Sequence, residues 1–278
     1  MPLTRSLSLH EYPPIFFRFP KIVFFIHCWN NLLLQRNWAV NHQLKSLLPN
    51  LPAQSIIVDA GCGDGQHIFP FFKKYKHLHF WGFDKNHNNI AFCKKYSGAV
   101  SGRDRLRFFH QHLEGLALEN EANLLLCTGT LQYIKEDALV LKNFYRALRP
   151  GCNLLLYTPV NGKSVLPFYL YFFEKLGHYE KSQERKRIYA ASEIIGKLGA
   201  AGFRIVKQKP TYGTLGIAAH EFYSLLLMGL GNAAWWWSWI FLLLLFLWLP
   251  FMLVFNGIDF IFPKKIGNGI LIMAKKPS

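Results

Sequence analysis

The sequence predicts an α/β protein whose core is a doubly wound, mostly parallel sheet, with a hydrophobic helical insert near its C-terminal end. Three observations lead there. Ile56-Ile57-Val58-Asp59 is a short β-branched run that breaks into glycines at 61, 63 and 65, as a buried strand does when it turns into a helix. From Ser55 to Tyr157 similar apolar runs alternate with helix-period segments, which implies parallel β-α units. Ala233 to Phe255 contains no charged residue, in a chain whose net charge is +16.

Residues 1–50 read as an N-terminal aromatic and amphipathic segment. Tyr12 to Leu34 is apolar but interrupted by Arg18, Lys21, His27 and Asn30-Asn31. Its apolar stretch starts late and no small-residue cleavage site follows, so it is no signal peptide, and it is too broken for a clean span. Two readings stand: a helix packed on the core, or an interfacial helix with snorkelling basic residues. Val40, Leu44, Leu47 and Leu48 share one helix face, closed by Pro49 and Pro52.

The core spans 51–212. After the glycine turn, His79–Asp84 reads as the second strand, Leu106–Phe109 as the third and Asn123–Thr128 as the start of the fourth. Leu141, Phe144 and Leu148 give the following helix its buried stripe, and the fifth strand ends at Tyr157. Residues 160–190 carry an aromatic cluster, Leu166 to Phe173, and then a basic one, Lys181 to Arg187. That pairing reads as a substrate lid or membrane contact, or else as a solvated helix face. Ser192 is placed to cap a helix with Ile194, Ile195, Leu198 and Ala201 inward, ended by Gly202. Phe203–Gln208 reads as strand six, and Gly269–Ala274, within 269–278, as the last strand.

Asp59-x-Gly61-x-Gly63-x-Gly65, with Gln66 where a dinucleotide fingerprint needs glycine, resembles motif I of the class I S-adenosylmethionine-dependent methyltransferases (type 11-like). His79 to Asp84 resembles that family's second strand, whose terminal acid accepts both ribose hydroxyl protons. Asn123 to Ile134 resembles its fourth strand and loop, and Arg146 to Tyr157 its turn into the fifth. The resemblance implies a seven-stranded Rossmann-like sheet, S-adenosylmethionine as cofactor, and methyl transfer. It implies cofactor binding by Asp59, Ala60, Gly61, Cys62, Gly63, Gly65 and Gln66, then by Asp84, Lys85, His112, Leu113 and Thr128. An acid is common in the family where His112 falls; a neutral His112 nitrogen would accept the adenine amino proton instead, unless it is a surface histidine. Asn123 stands where aspartate is common. Two catalytic candidates follow: Tyr133 after strand four, or a pocket wall, and His220, which with Glu221 stands at the mouth of the insert as base or interfacial anchor.

The family pairs its last two strands antiparallel, so the insert at 213–268 must leave and return on one side of any membrane. Hydropathy alone reads it as one spanning helix with Trp235, Trp236, Trp237 and Trp239 at one end and Lys264-Lys265 beyond the other. The topology favours a monotopic hairpin dipping into one leaflet, with Phe222–Leu230 as a short first arm and breaks at Pro250 and the Gly229/Gly231 pair. A buried helix pair joining two copies is the soluble alternative.

A positive net charge combined with 51% hydrophobic and 16% aromatic residues favours an anionic membrane surface over nucleic acid as partner. Five scattered cysteines without C-x-x-C spacing indicate neither a disulfide framework nor a metal site, and fit the reducing, cytoplasmic side of a membrane. The expected acceptor is lipid-soluble or membrane-presented: a quinone precursor, a lipid or a lipid-linked glycan. The alternatives are a non-catalytic membrane scaffold on this fold, or a nucleic-acid methyltransferase, which fits the charge but not the uncharged insert.

Overall fold

The computed structural model describes residues 19–176 and 187–278; the expectations for Tyr12 to Arg18 and for Lys181 to Lys186 lie outside them. Two helices come first, α1 (Pro20–Leu33) and α2 (Gln35–Leu47). Then follow β1 (Ile56–Ala60), α3 (Phe69–Lys74), β2 (His79–Asp84), α4 (His87–Gly98), β3 (Leu106–His110), β4 (Ala122–Thr128), α5 (Asp137–Ala147) and β5 (Leu148–Pro159). The C-terminal part adds α6 (Tyr169–Leu176), α7 (Ala191–Ala200), β6 (Arg204–Thr211), α8 (Thr214–Asn232), α9 (Trp235–Ile261) and β7 (Gly269–Lys275).

The seven strands form one sheet in the order β3-β2-β1-β4-β5-β7-β6. Strands β1 to β5 are parallel, and β7 lies antiparallel between β5 and β6. Leu124 to Cys127 of central β4 are all buried, as expected of a strand covered on both faces. On one face Val58, Leu125 and Leu156 pack with Leu141 and Phe144 of α5 and Ile194 and Leu198 of α7. On the other, Ile57, Leu126 and Leu155 pack with Val40 and Leu44 of α2, Phe69 and Phe72 of α3 and Ile90 of α4. Asn123, the residue that departs from the family pattern, accepts the Ile56 N–H through Oδ1 at 3.0 Å and so ties β4 to β1.

Two local expectations change. Ser192 does not cap α7, which starts two residues earlier than that cap implies, with Ala190 at its N-cap; the Glu193 carboxylate reaches back to the Ala190 N–H at 3.4 Å instead. The insert differs more. Its first arm is not the short Phe222–Leu230 but all of α8, because the helix starts beside the end of β6 and buries Gly216, Ile217 and Ala219 against the body. Pro250 lies inside continuous α9, and the reversal falls at Ala233-Ala234 rather than at a glycine.

The root of this hairpin is polar and closed. Asp259 of α9 accepts the Gly213 N–H at 3.0 Å and the Gln35 amide at 2.7 Å and pairs with Lys264, while Gln35 Oε1 takes the Tyr212 N–H. Burial alone would raise the Asp259 carboxyl, but the donors from Lys264, Gln35 and Gly213 outweigh it and hold it low. Asn256 Nδ2 donates to the Leu33 carbonyl of α1 at 2.9 Å. Alongside α8 runs α6: the buried Glu221 carboxylate accepts the N–H groups of Val165 (3.1 Å) and Leu166 (2.8 Å) at one end, and Asn232 Nδ2 reaches the Leu176 carbonyl at 3.4 Å at the other. Glu221 is therefore a latch on the segment leading into α6. Together α6, α8 and α9 make an apolar slab, with Phe168, Trp239 and Phe246 each at least 70% exposed.

Candidate cofactor and acceptor site

Strands β1, β2 and β4 end side by side, and the glycine turn lies over those ends. The Gly61 and Cys62 N–H groups donate to the Phe83 carbonyl at 2.7 and 3.0 Å, which fixes the turn to β2. Asp84, at the β2 terminus, accepts the Gly63 N–H through Oδ2 at 2.9 Å and the Asn86 N–H through Oδ1 at 2.7 Å. The three turn glycines have positive φ, but their surroundings differ. A Cβ on Gly61 would strike Thr130 and one on Gly65 would strike Phe69, so those two are glycine for packing. Gly63 faces open space.

That opening is a cradle with unspent polar groups around it. Asp59 Oδ2 and Thr128 Oγ1 are buried without a partner among the described residues. Burial, then the charge of Asp84, pushes the Asp59 carboxyl up to about 8. The folded protein thus keeps a proton that the unfolded chain releases, so stability from this group is present at low pH and lost as pH rises from about 4 through about 8. Replacement of Asp59 by Asn should flatten the fall in melting temperature of the cofactor-free protein across that window. A parent-like slope in the variant would contradict the assignment.

The opposite wall is basic and was not legible as a motif. Arg36, at the start of α2, lies near the Gly129 turn, its guanidinium 3.9 Å from where a Gly129 Cβ would sit, and its backbone N–H donates to Tyr212 Oη at 3.3 Å. Its Nε is buried with no partner among the described residues. His220 of α8 packs edge-on against Tyr212 with ring centroids 5.4 Å apart. Burial, then Arg36, lowers His220 to about 4, and burial with Arg36 and His27 lowers His67 to about 3; both rings are neutral at pH 7. His27 of α1 pairs with Asp64 of the glycine turn at 2.8 Å, closing the cradle from the N-terminal side.

Of the residues expected from sequence, Asp59 through Gln66, Asp84, Lys85 and Thr128 come together at these strand ends. His112 is exposed on the loop after β3, and the Leu113 side chain is buried in the core. Tyr133 closes a turn by donating its N–H to the Thr130 carbonyl at 3.0 Å, and no hydrogen bond or ring contact among the described residues joins it to Arg36 or His220. His220 is joined through Tyr212 to the Arg36 side of the turn. All five cysteines are free thiols; Cys62 and Cys93 lie beneath the turn, each Sγ 3.6 Å from the Gly63 carbonyl.

A doubly wound sheet with a glycine cradle at its carboxyl edge and an acid ending the second strand defines a nucleoside-cofactor domain. Residues 57–151 match the family model of a methyltransferase domain. The chain is 27% identical to trans-aconitate 2-methyltransferase of Streptomyces coelicolor over 119 residues, 42% of this chain and 39% of that one. It is 26% identical to malonyl-[acyl-carrier protein] O-methyltransferase of Priestia megaterium over 160 residues, 56% of this chain and 57% of that one. It thus spans between two fifths and three fifths of the length of these curated relatives. A phosphoethanolamine N-methyltransferase of Haemonchus contortus, solved with S-adenosylmethionine, has the same fold at a TM-score of 0.58 and 17% identity, over 87% of this chain and 53% of that one. Residues 57–151 thus form a methyltransferase domain by their match to that family model, and the sheet around them has the class I methyltransferase fold.

S-adenosylmethionine is the cofactor of such a core, and the residues present fit it. Asp84 would take the ribose hydroxyls, the Gly63 opening would admit the nucleoside side, Thr128 and Asp59 would face the methionine amino group, and Arg36 would supply a cation for its carboxylate.

Proposed function

We propose that the protein transfers a methyl group from S-adenosylmethionine to an apolar acceptor presented by a membrane. The observation that carries this reading is the continuity of exposed apolar surface with the His220 wall. The α8 helix bears His220 at its base, pairs with α9, and is latched through Glu221 to the segment entering α6. The exposed Phe25 and Leu32 of α1 extend the apolar face, and Trp29 of the same helix packs with Trp248 and Tyr223 at the hairpin. Trp236–Ile261 is long and apolar enough to cross a bilayer, yet both ends of the hairpin return to one sheet. Glu174 and Lys175 of α6 lie close to the hairpin tip, where Asn232 meets Leu176. Charges at that level favour a slab lying in the interface over one buried to bilayer depth. The anionic leaflet expected from the net charge is the surface on which we place it.

The cofactor supplies an activated methyl group on a sulfonium, so positioning in line with the acceptor provides most of the acceleration. The chain's own task is to exclude water, orient the acceptor and receive its proton. With the cofactor held by Asp84 and the Gly63 cradle, His220 would face the acceptor and receive the proton that the acceptor loses on methylation. Burial and Arg36 lower this ring to about 4, so it is neutral across physiological pH with a nitrogen free to accept. It is a weak base, which suits an acceptor whose proton becomes acidic as the new bond forms.

Incubation with labelled cofactor and a membrane extract should place label in the organic phase. Label confined to aqueous products would sink the acceptor class. The variant His220→Ala should lose about 10²- to 10⁴-fold in kcat with cofactor affinity unchanged. The parent rate should stay level as far as this group is concerned until pH falls towards about 4. A parent-like kcat in the variant would remove His220 from the proton transfer.

A further inference from the structure

We infer that a small basic cavity at the root of the hairpin holds the phosphate of an anionic lipid headgroup. It lies between β6, β7 and α2, away from the cofactor cradle. Its floor is apolar, formed by Leu155, Leu271 and Met273, and its polar rim is Lys207, Lys209, His42 and Gln43. A register shift between Ile205 and Lys207 in the β6–β7 pairing creates it. Ile205 pairs with Ala274 and packs in the α5–α7 core; past the bulge at Val206, Lys207 and Lys209 pair with Met273 and Leu271 and join them in lining the cavity on the α2 side. The same shift therefore places two lysines of an edge strand on the α2 side, Lys207 exposed at the cavity rim and Lys209 half-buried.

Charge, size and neighbours identify the occupant. No acid lines the cavity. Lys209 is lowered by burial, then by Lys264 and Lys207, so the positive charge there is uncompensated; Lys264 itself is committed to Asp259. The volume is about 60 Å³, room for about two waters or the oxygens of one phosphate, and too little for a nucleotide. The Lys209 amine sits 3.8 Å above the Phe260 ring, in the last turn of α9. Beyond that ring, Ile261 is 78% exposed, Phe262 64% and Ile266 74%, with Lys265 exposed among them. A phosphate in the cavity with its acyl chains along Ile261 and Phe262 satisfies both surfaces, which free phosphate does not.

The inference rests on the membrane association proposed above and is independent of methyl transfer. The parent is compared with Lys207→Gln/Lys209→Gln and with a charge-matched control, Lys94→Gln/Lys95→Gln on exposed α4, for binding to phosphatidylcholine vesicles with and without phosphatidylglycerol. The double variant should lose about 20- to 30-fold of the preference for phosphatidylglycerol, as two surface lysines contribute, while the control keeps most of it. Lys209→Arg should retain the preference, separating charge from folding. Equal losses in both variants would mean diffuse attraction, and no loss would mean that the lysines only blunt the sheet edge; either overturns the site. If inorganic phosphate perturbs the His42 resonances as strongly as short-chain phosphatidylglycerol does, the occupant is free phosphate and the lipid assignment is wrong. Binding of all variants to pure phosphatidylcholine at high salt reports the hairpin alone, so its loss would sink membrane association rather than this cavity.

Discussion

Removal of Gly213 to Gly267, with Tyr212 joined to Asn268 through Asn-Gly, should release the protein from membranes and leave a sheet that closes. The join is favourable because the Asn268 N–H already donates to the Tyr212 carbonyl at 3.1 Å and Thr211 already pairs with Gly269. A two-residue Asn-Gly loop fits such a pair. The parent should stay in the membrane pellet at 1 M salt, since screening weakens charge attraction but not apolar insertion, and only detergent should free it. The shortened protein should be soluble and bind S-adenosylhomocysteine within a few-fold of the parent, because the cradle residues precede the deletion. Binding is the appropriate readout, as the deletion also removes His220. A shortened protein that still pelleted at high salt would place the membrane contact elsewhere, and one that merely fell from dimer to monomer would favour a helix pair between copies.

Asp84→Ala should weaken cofactor binding at least tenfold, and more where both ribose bonds are lost. Each charge-assisted bond contributes about 1.5–3 kcal/mol, partly offset by water. The structure adds a second source of loss. The same carboxylate holds the Gly63 and Asn86 N–H groups, so its removal also frees the cradle. Asp84→Asn should retain less than the parent and more than alanine, because an amide oxygen accepts one such bond without charge. Isothermal titration with S-adenosylhomocysteine measures this series. A parent-like affinity in the alanine variant would refute the cradle.

The strands were readable because each is a short apolar run bounded by a turn residue, and Asp59 and Asp84 mark strand ends by being acids in apolar surroundings. The glycine turn was readable for the same local reason. Arg36 was not, since nothing beside it in the chain singles it out; it reaches the Gly129 turn only because α2 packs across the sheet. The extent of α8 was hidden too. Its first turns mix glycine, histidine and glutamate and look like a loop in isolation, and packing against the body makes them helical. Ser192 looked like a cap by residue type, but the Glu193 side chain one position on serves Ala190 instead. Tyr133 was proposed from a family position, and the local sequence did not show that its N–H closes a turn onto the Thr130 carbonyl.

The position of β7 sets an order of events during synthesis. Strand β6 pairs only with β7, and β5 has β7 between itself and β6, so the β6 side of the sheet is not finished until residues 269–275 exist. The hairpin precedes them in the chain. A nascent molecule therefore presents its apolar slab while the parallel half of the sheet, with the glycine turn, is already complete and β6 is still unpaired. Strand closure is the last step, and it must take place with the slab already made; a bilayer nearby at that moment shelters the apolar arms from other chains while the sheet is being sealed.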